Sequence, residues 1–252
     1  AFHGLRHPME SYAKSDSEFG LETLEYIREK EKIQIDGELG EYVALGSNDL
    51  DLAQRMIKAG SPNDKFLRQI FVSVDITAPL YFWKEMDQYK VGTTTNSTST
   101  MHKLASTPIT LDCFETDDYD KYYTQVGAIV PPKIFTIRDN KNIEEHNDWA
   151  FDIDQFPINA LIPYLEKLRQ KYLETKDVRY WKELIRWLPE SWLQTRTWTA
   201  DYAVLRNIIH WRSNHKLTEW HQFVDWCRTL PYGSELLFYN QSNQKNQYEL
   251  KN

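Results

Sequence analysis

PLYFWKEMDQYKVGTTTNSTSTMHKL, residues 79–104, decides how this chain is read. Pro79 suits the first turn of a helix, where a missing N–H leaves no bond unmade. Leu80, Trp83 and Asp87 fall on one stripe and Phe82, Met86 and Tyr89 on the next, so a helix ending by Gly92 is expected. From Thr93 to Thr100 the side chains are hydroxyls around a single Asn96, closed by Met101, His102 and Lys103. Such a run is poor helix material and poor core material. Its groups suit phosphate, ribose or base contacts, and they suit a plain polar surface loop as well.

Upstream, Gln69 to Thr77 alternates, with Ile70, Val72, Val74 and Ile76 on one side and Phe71, Ser73, Asp75 and Thr77 on the other. That pattern predicts a strand with one covered face. Ser47-Asn48-Asp49 offers a helix cap, Leu50, Ala53, Met56 and Ile57 recur at helical spacing, and Gly60 stops the helix. Residues 1–20 are polar and read either as a solvated arm or as a source of ligands in Arg6, His7 and Ser11.

Downstream, residues 105–150 look irregular, with an acidic cluster of Asp112, Glu115, Asp117, Asp118 and Asp120 and a break at Pro131-Pro132. The cluster lacks the Gly-centred spacing of a calcium loop, and a solvated acidic loop is the favoured reading. The last hundred residues carry helical stripes: Ile158, Leu161, Ile162, Leu165 and Leu168, with Pro163 in the first turn; Trp181, Leu184, Ile185 and Leu188, stopped by Pro189; Leu205, Ile208 and Ile209 after a Thr199 cap; Trp220, Phe223, Val224 and Cys227 after a Thr218 cap. The expectation is one α+β domain over residues 1–252, a mixed or antiparallel sheet packed against helices, with insertions at 15–46 and 105–150.

Composition narrows the function. The 252 residues include 9 Trp, 15 Tyr and 11 Phe, a globular rather than a disordered make-up. A formal net charge of -7 argues against binding nucleic-acid polymers or anionic membranes, because both need a basic surface. A basic pocket for one nucleotide remains compatible with it. No apolar run approaches the ~18 residues of a membrane span and no signal-peptide pattern opens the chain. With two cysteines, Cys113 and Cys227, and no CxxC, the expected compartment is the reducing cytoplasm. Cys227 lies on an apolar stripe and reads as core, and Cys113 sits among carboxylates that disfavour a thiolate. No Gly-rich phosphate loop, HExxH or serine elbow is present, and His210, His215 and His221 are spaced onto different helix faces, so no metal site is expected.

The strand, the Ala78-Pro79 turn and the hydroxyl run together resemble the flavin-dependent thymidylate synthases. In that family the turn leads into a helix carrying Arg-His-Arg, and then into Asn-Glu, any residue, Ser, any residue, Arg-Tyr. Here Gln88-Tyr89-Lys90 stands at the first position; after one inserted residue, Asn96-Ser97-Thr98-Ser99-Thr100-Met101-His102 stands at the second. A second block, Leu188 to Phe223, is similar to the family's C-terminal segment through Leu188-Pro189, Trp198-Thr199, Asn207, Arg212, His215 and Trp220, with Asp201 where the family has Asn. Arg68 stands where the family has a flavin-contacting His. The resemblance covers roughly residues 48–101 and 158–230.

The resemblance implies reductive methylation of dUMP to dTMP with methylenetetrahydrofolate as carbon donor, FAD as cofactor and NADPH as reductant, in a homotetramer. Arg212 is then the catalytic guanidinium, stabilising charge on the pyrimidine carbonyl. Glu85, Gln88, Ser97, Ser99, Arg186 and Arg212 are assigned to the substrate. Arg68, Gln88, Tyr89, Lys90, Asp201, Asn207 and His215 are assigned to the flavin. Met101 replaces the family's phosphate-binding arginine, which leaves Lys103 and Arg186 as sources of charge. A hydroxymethylating sibling and a non-catalytic homologue are the alternatives.

Overall fold

The computed structural model describes residues 2–22, 40–99, 104–116, 134–138, 142–146 and 160–241. Among them the elements run α1 (Phe2–Arg6), β1 (Glu18–Glu22), β2 (Gly40–Ala44), α2 (Ser47–Ala59), a 3-10 helix (Asn63–Gln69), β3 (Phe71–Pro79), α3 (Leu80–Met86) and β4 (Thr94–Ser97). They continue with β5 (Ile134–Arg138), β6 (Asn142–His146), α4 (Ile162–Thr175), α5 (Val178–Arg186), β7 (Leu193–Asp201), α6 (Tyr202–Arg212), α7 (Thr218–Thr229) and a π turn (Gly233–Leu237). The fold is α+β.

The alternation before Pro79 is real: Val72, Val74 and Ile76 are half-buried while Phe71, Ser73, Asp75 and Thr77 are exposed. β3 belongs to a sheet of order β3-β7-β4. Ser73 and Thr199 share a 2.9 Å hydrogen bond, Thr197 donates to Asp75 at 2.5 Å, and Thr77 and Thr195 meet at 2.7 Å. These pairs step in opposite directions along the two strands, so β3 and β7 are antiparallel. β1 with β2, and β5 with β6, form separate antiparallel hairpins.

Backbone contacts divide the chain into two compact units, one of Ala1–Val74, Tyr89–Thr94 and Trp198–Asn252, the other of Asp75–Gln88 and Thr95–Thr197. In the first, α6 buries Leu205, Ile208 and Ile209, and α7 buries Trp220, Phe223, Val224 and Cys227. These are the expected stripes. Trp198 meets Phe223 edge-on at 5.8 Å. Burial pushes the Cys227 thiol up to about 12, which makes it core rather than nucleophile. Arg206 is buried too, donating to the carbonyls of Leu236, Leu237 and Tyr239, so it staples the π turn to α6.

The second unit gathers Leu104, Ile109, Phe114, Leu165, Leu168 and Leu184 into one cluster, with Trp192 edge-on to Phe114 at 5.5 Å. Glu166 on α4 ties the 104–116 segment down by accepting from the Ile109 N–H at 2.8 Å and from Arg169, which in turn donates to the Ala105 carbonyl.

Several expectations need correction. The N-terminal stretch is tied down by Leu5 and Arg6 rather than forming a solvated arm, and Arg6 is not a free ligand. Leu5 is buried, and buried Arg6 donates to the fully buried Asp49 at 2.6 Å. Ser15 and Ser17 also donate to Asp49, at 2.6 and 2.5 Å. Burial raises the Asp49 pKa, but these hydrogen bonds outweigh it and hold the carboxyl below its usual range. Removing one partner of such a pair costs about 3–5 kcal/mol. The α2 cap is Gly46, and Asp16 supplies the side-chain acceptors, taking the Asn48 and Asp49 N–H groups at 2.9 and 3.1 Å.

Thr199 is no cap but a β7 residue; the α6 cap is Asp201, which accepts the Val204 N–H at 2.9 Å. The α7 cap is Leu217, with Thr218 the first helical residue. Part of the region expected to be irregular, 105–150, forms the β5–β6 hairpin. Ile158, Asp117, Asp118, Asp120, Pro131-Pro132 and residues 100–103 lie outside the described residues.

Candidate functional site

Arg212 is the last residue of α6, half-buried and held on two sides. Its Nε donates to the Tyr89 hydroxyl at 2.9 Å. Its Cζ lies 4.7 Å from the centroid of the Trp220 ring and 5.6 Å from that of Tyr89. The two rings meet edge-on at 6.2 Å, as do His215 and Trp220. Each cation–ring contact contributes about 0.5–2 kcal/mol, depending on desolvation. The guanidinium is therefore ordered before any ligand arrives.

The turn after α6 builds the rest of this corner. His215 Nδ1 accepts the Leu217 N–H at 3.2 Å, which in a neutral ring leaves the proton on Nε2. The His215 carbonyl meets Nε2 of His221 at 2.7 Å. The structure thus joins three of the expected site residues, Arg212, Tyr89 and His215, around Trp220.

Tyr89 reaches this corner because α3 ends at Met86 and the chain turns through Gly92, which has φ +77°. A Cβ on Gly92 would lie 3.0 Å from Val204 and 3.2 Å from the Asp201 carboxylate, so the turn approaches the α6 N-terminus as only glycine allows. Thr93 braces the turn by donating to the Tyr89 carbonyl at 2.6 Å. Asp201 is buried and spends an oxygen on capping α6. Asn207 is exposed on α6 and accepts from the Trp211 indole at 3.2 Å. Arg68 and Lys90 are exposed cations of the same unit, and neither forms an ion pair among the described residues.

The remaining expected residues belong to the second unit. Thr94–Ser97 of the hydroxyl run is strand β4 rather than loop, and it is exposed throughout. Ser97 is exposed, Ser99 half-buried, Glu85 half-buried and Gln88 exposed just beyond α3. Arg186 pairs with Glu183 at the end of α5 and is 55% exposed. Lys103 lies outside the described residues. Glu115 of the acidic cluster accepts from the Tyr81 hydroxyl at 3.2 Å. Among the described residues no group of three His, Cys, Asp or Glu stands where it could hold a metal ion.

One arginine was not singled out from the sequence. Arg196 on β7 lies over the Trp83 ring at 4.4 Å, donates from Nε to Gln194 at 2.9 Å and pairs through Nη1 with Asp87 at 2.8 Å. The signal for it was the alternation of LQTRTWTAD, residues 193–201, which puts Arg196 on the same face as Gln194 and Trp198.

No protein-family model matches the chain, and no curated protein does. Solved structures do match. One is the flavin-dependent thymidylate synthase ThyX of Helicobacter pylori complexed with FAD and dUMP, with a TM-score of 0.55 and 14% identity over 94% of this chain and 91% of that one. Another is Thymidylate Synthase X from the same organism with FAD and dUMP, with a TM-score of 0.50 and 13% identity over 89% of this chain and 98% of that one. At such identities the likeness establishes a shared fold.

Proposed function

We propose that the chain is a divergent flavin-dependent thymidylate synthase-like enzyme that methylates dUMP to dTMP with methylenetetrahydrofolate, FAD and NADPH. The observation that carries this reading is the guanidinium of Arg212, fixed by Tyr89 and Trp220 in a fold that FAD- and dUMP-bound enzymes share. A planar donor group held in place before binding stabilises charge that develops on a pyrimidine carbonyl without reorganising at the moment of reaction.

The donor set fits the cofactor in kind. Arg68 and Lys90 offer cations for its phosphates, and Asn207 and the Nε2–H of a neutral His215 offer hydrogen bonds to a ring. When bound, the reduced flavin supplies the electrons that turn the transferred one-carbon unit into a methyl group. The protein's own part in the first unit is to orient the base with Arg212. A homotetramer belongs to the same reading, and the free thiols of Cys113 and Cys227 accord with a reducing compartment. Among the described residues no helix is long and apolar enough to cross a membrane.

The test is a flavin titration followed by turnover of labelled dUMP with methylenetetrahydrofolate and NADPH. The expected result is a yellow complex, a dTMP product, and loss of turnover in Arg212→Ala. A protein that binds no flavin refutes the enzyme reading. A hydroxymethyl product assigns the site to the sibling reaction, and unchanged turnover in Arg212→Ala removes its central residue.

A further inference from the structure

Resting on the nucleotide reading above, we propose that Arg196 binds the phosphate of a nucleoside monophosphate, with Asp87 as the internal carboxylate that the phosphate displaces. The hydroxyl run needs such a cation. Its neutral donors bind a dianion more weakly than charged ones do.

Arg196 has the features of an anion-binding guanidinium. Its side chain is only 15% exposed and stacks on Trp83, and Nε is fixed by Gln194. Nη2 makes no hydrogen bond among the described residues. Stacking strips water from the cation and orders it in advance, so less freedom is lost when a ligand docks. Its counter-ion, Asp87, is 50% exposed, and an ion pair with so exposed a partner is weak. A phosphate carries more charge and three acceptor oxygens, enough to compete for the same fork.

The hydroxyl strand is attached to the same spot. Thr98 donates its N–H to the Thr195 carbonyl at 2.9 Å, and Gln194 donates to the Thr98 carbonyl at 3.1 Å. Gln194 thus orients Arg196 with its oxygen and anchors the Ser97–Ser99 backbone with its nitrogen. The Trp83 indole donates to the Gln194 carbonyl at 2.9 Å, which completes the support from α3. Charge, hydroxyls and their common brace all lie in the second unit.

The experiment titrates dUMP, deoxyuridine and inorganic phosphate into protein carrying isotope-labelled tryptophan, with the Trp83 indole signal assigned through Trp83→Phe. The expected result is that dUMP and phosphate move the Trp83 signal and deoxyuridine does not. Arg196→Gln should weaken dUMP binding about tenfold to a hundredfold and leave deoxyuridine unchanged. Asp87→Asn should tighten phosphate binding severalfold. Equal dUMP affinity in the wild type and Arg196→Gln overturns the inference and leaves the proposed function standing. Phosphate bound through Arg196, with dUMP binding no better than phosphate, keeps the anion site and overturns the nucleotide reading. No response to any of the three overturns both. If Arg196→Gln does not fold, Asp87→Asn decides, since it leaves Arg196 and Trp83 in place; unchanged phosphate and dUMP affinity in that variant overturns the inference.

Discussion

The hydroxyl of Tyr89 is the most direct handle on the Arg212 corner. Tyr89→Phe keeps the ring, and with it the edge contact to Trp220 at 6.2 Å and the cation contact at 5.6 Å. It removes only the acceptor of the Arg212 Nε at 2.9 Å. A hydrogen bond to a charged group contributes about 1.5–3 kcal/mol when buried. Both residues are half-buried, so water partly replaces what is lost and about 1 kcal/mol is expected. Arg212→Lys keeps the charge but has no Nε to donate. A double-mutant cycle of the two, read by urea unfolding, should give a coupling of about 1 kcal/mol. On the proposed function, Tyr89→Phe should also lower turnover by about threefold to tenfold with a smaller change in KM, because a freed guanidinium loses orientation more than affinity. Additivity within about 0.3 kcal/mol, together with unchanged turnover, would refute the claim that Tyr89 aims Arg212.

Two further predictions concern pH and the turn. Arg169, with smaller help from the Ile109 N–H and Gln170, holds the Glu166 carboxyl down at about 2, against burial that would raise it from the ordinary 4.5. The stabilisation is then complete above 4.5 and is lost as pH falls toward 2; it amounts to about 3 kcal/mol, and Glu166→Gln should flatten the acid limb of a urea-midpoint profile. Gly92→Ala should lower the melting temperature through its φ of +77° and the 3.0 Å approach of a new Cβ to Val204. The expected cost is about 1–3 kcal/mol, and an unshifted melting curve would show that the turn does not need glycine.

The two strands that meet in antiparallel register were unequally legible, and the difference is physical. β3 announces itself because its covered face is Val72, Val74 and Ile76, apolar at every second position. β7 carries Gln194 and Arg196 on the covered side beside Trp198 and Ala200, so its alternation is camouflaged as a polar loop. Those polar groups tolerate the place because each is bonded there: Gln194 to Thr98 and Arg196, Arg196 to Asp87. The pairing of Arg6 with Asp49 was not legible either, since only the fold brings positions 43 residues apart into one buried pair.

Taking Thr199 as a cap concealed β7, and with it Arg196; Trp220 reads as a core stripe and as part of the C-terminal block, but not as the platform under Arg212. In both cases a guanidinium lies on an indole, Arg212 on Trp220 and Arg196 on Trp83, with a second group fixing Nε. A sequence shows neither partner, because stacking pairs residues from different elements. Read along the chain, neither arginine therefore announces itself as an anion-binding group. In space, two arginines remain, each desolvated on one face and ordered in advance, and an ordered guanidinium gives up less freedom per bond to an anion than a mobile one. Each arginine is thus prepared, within its own unit, to bind an anion or a carbonyl, provided that the tryptophan beneath it stays.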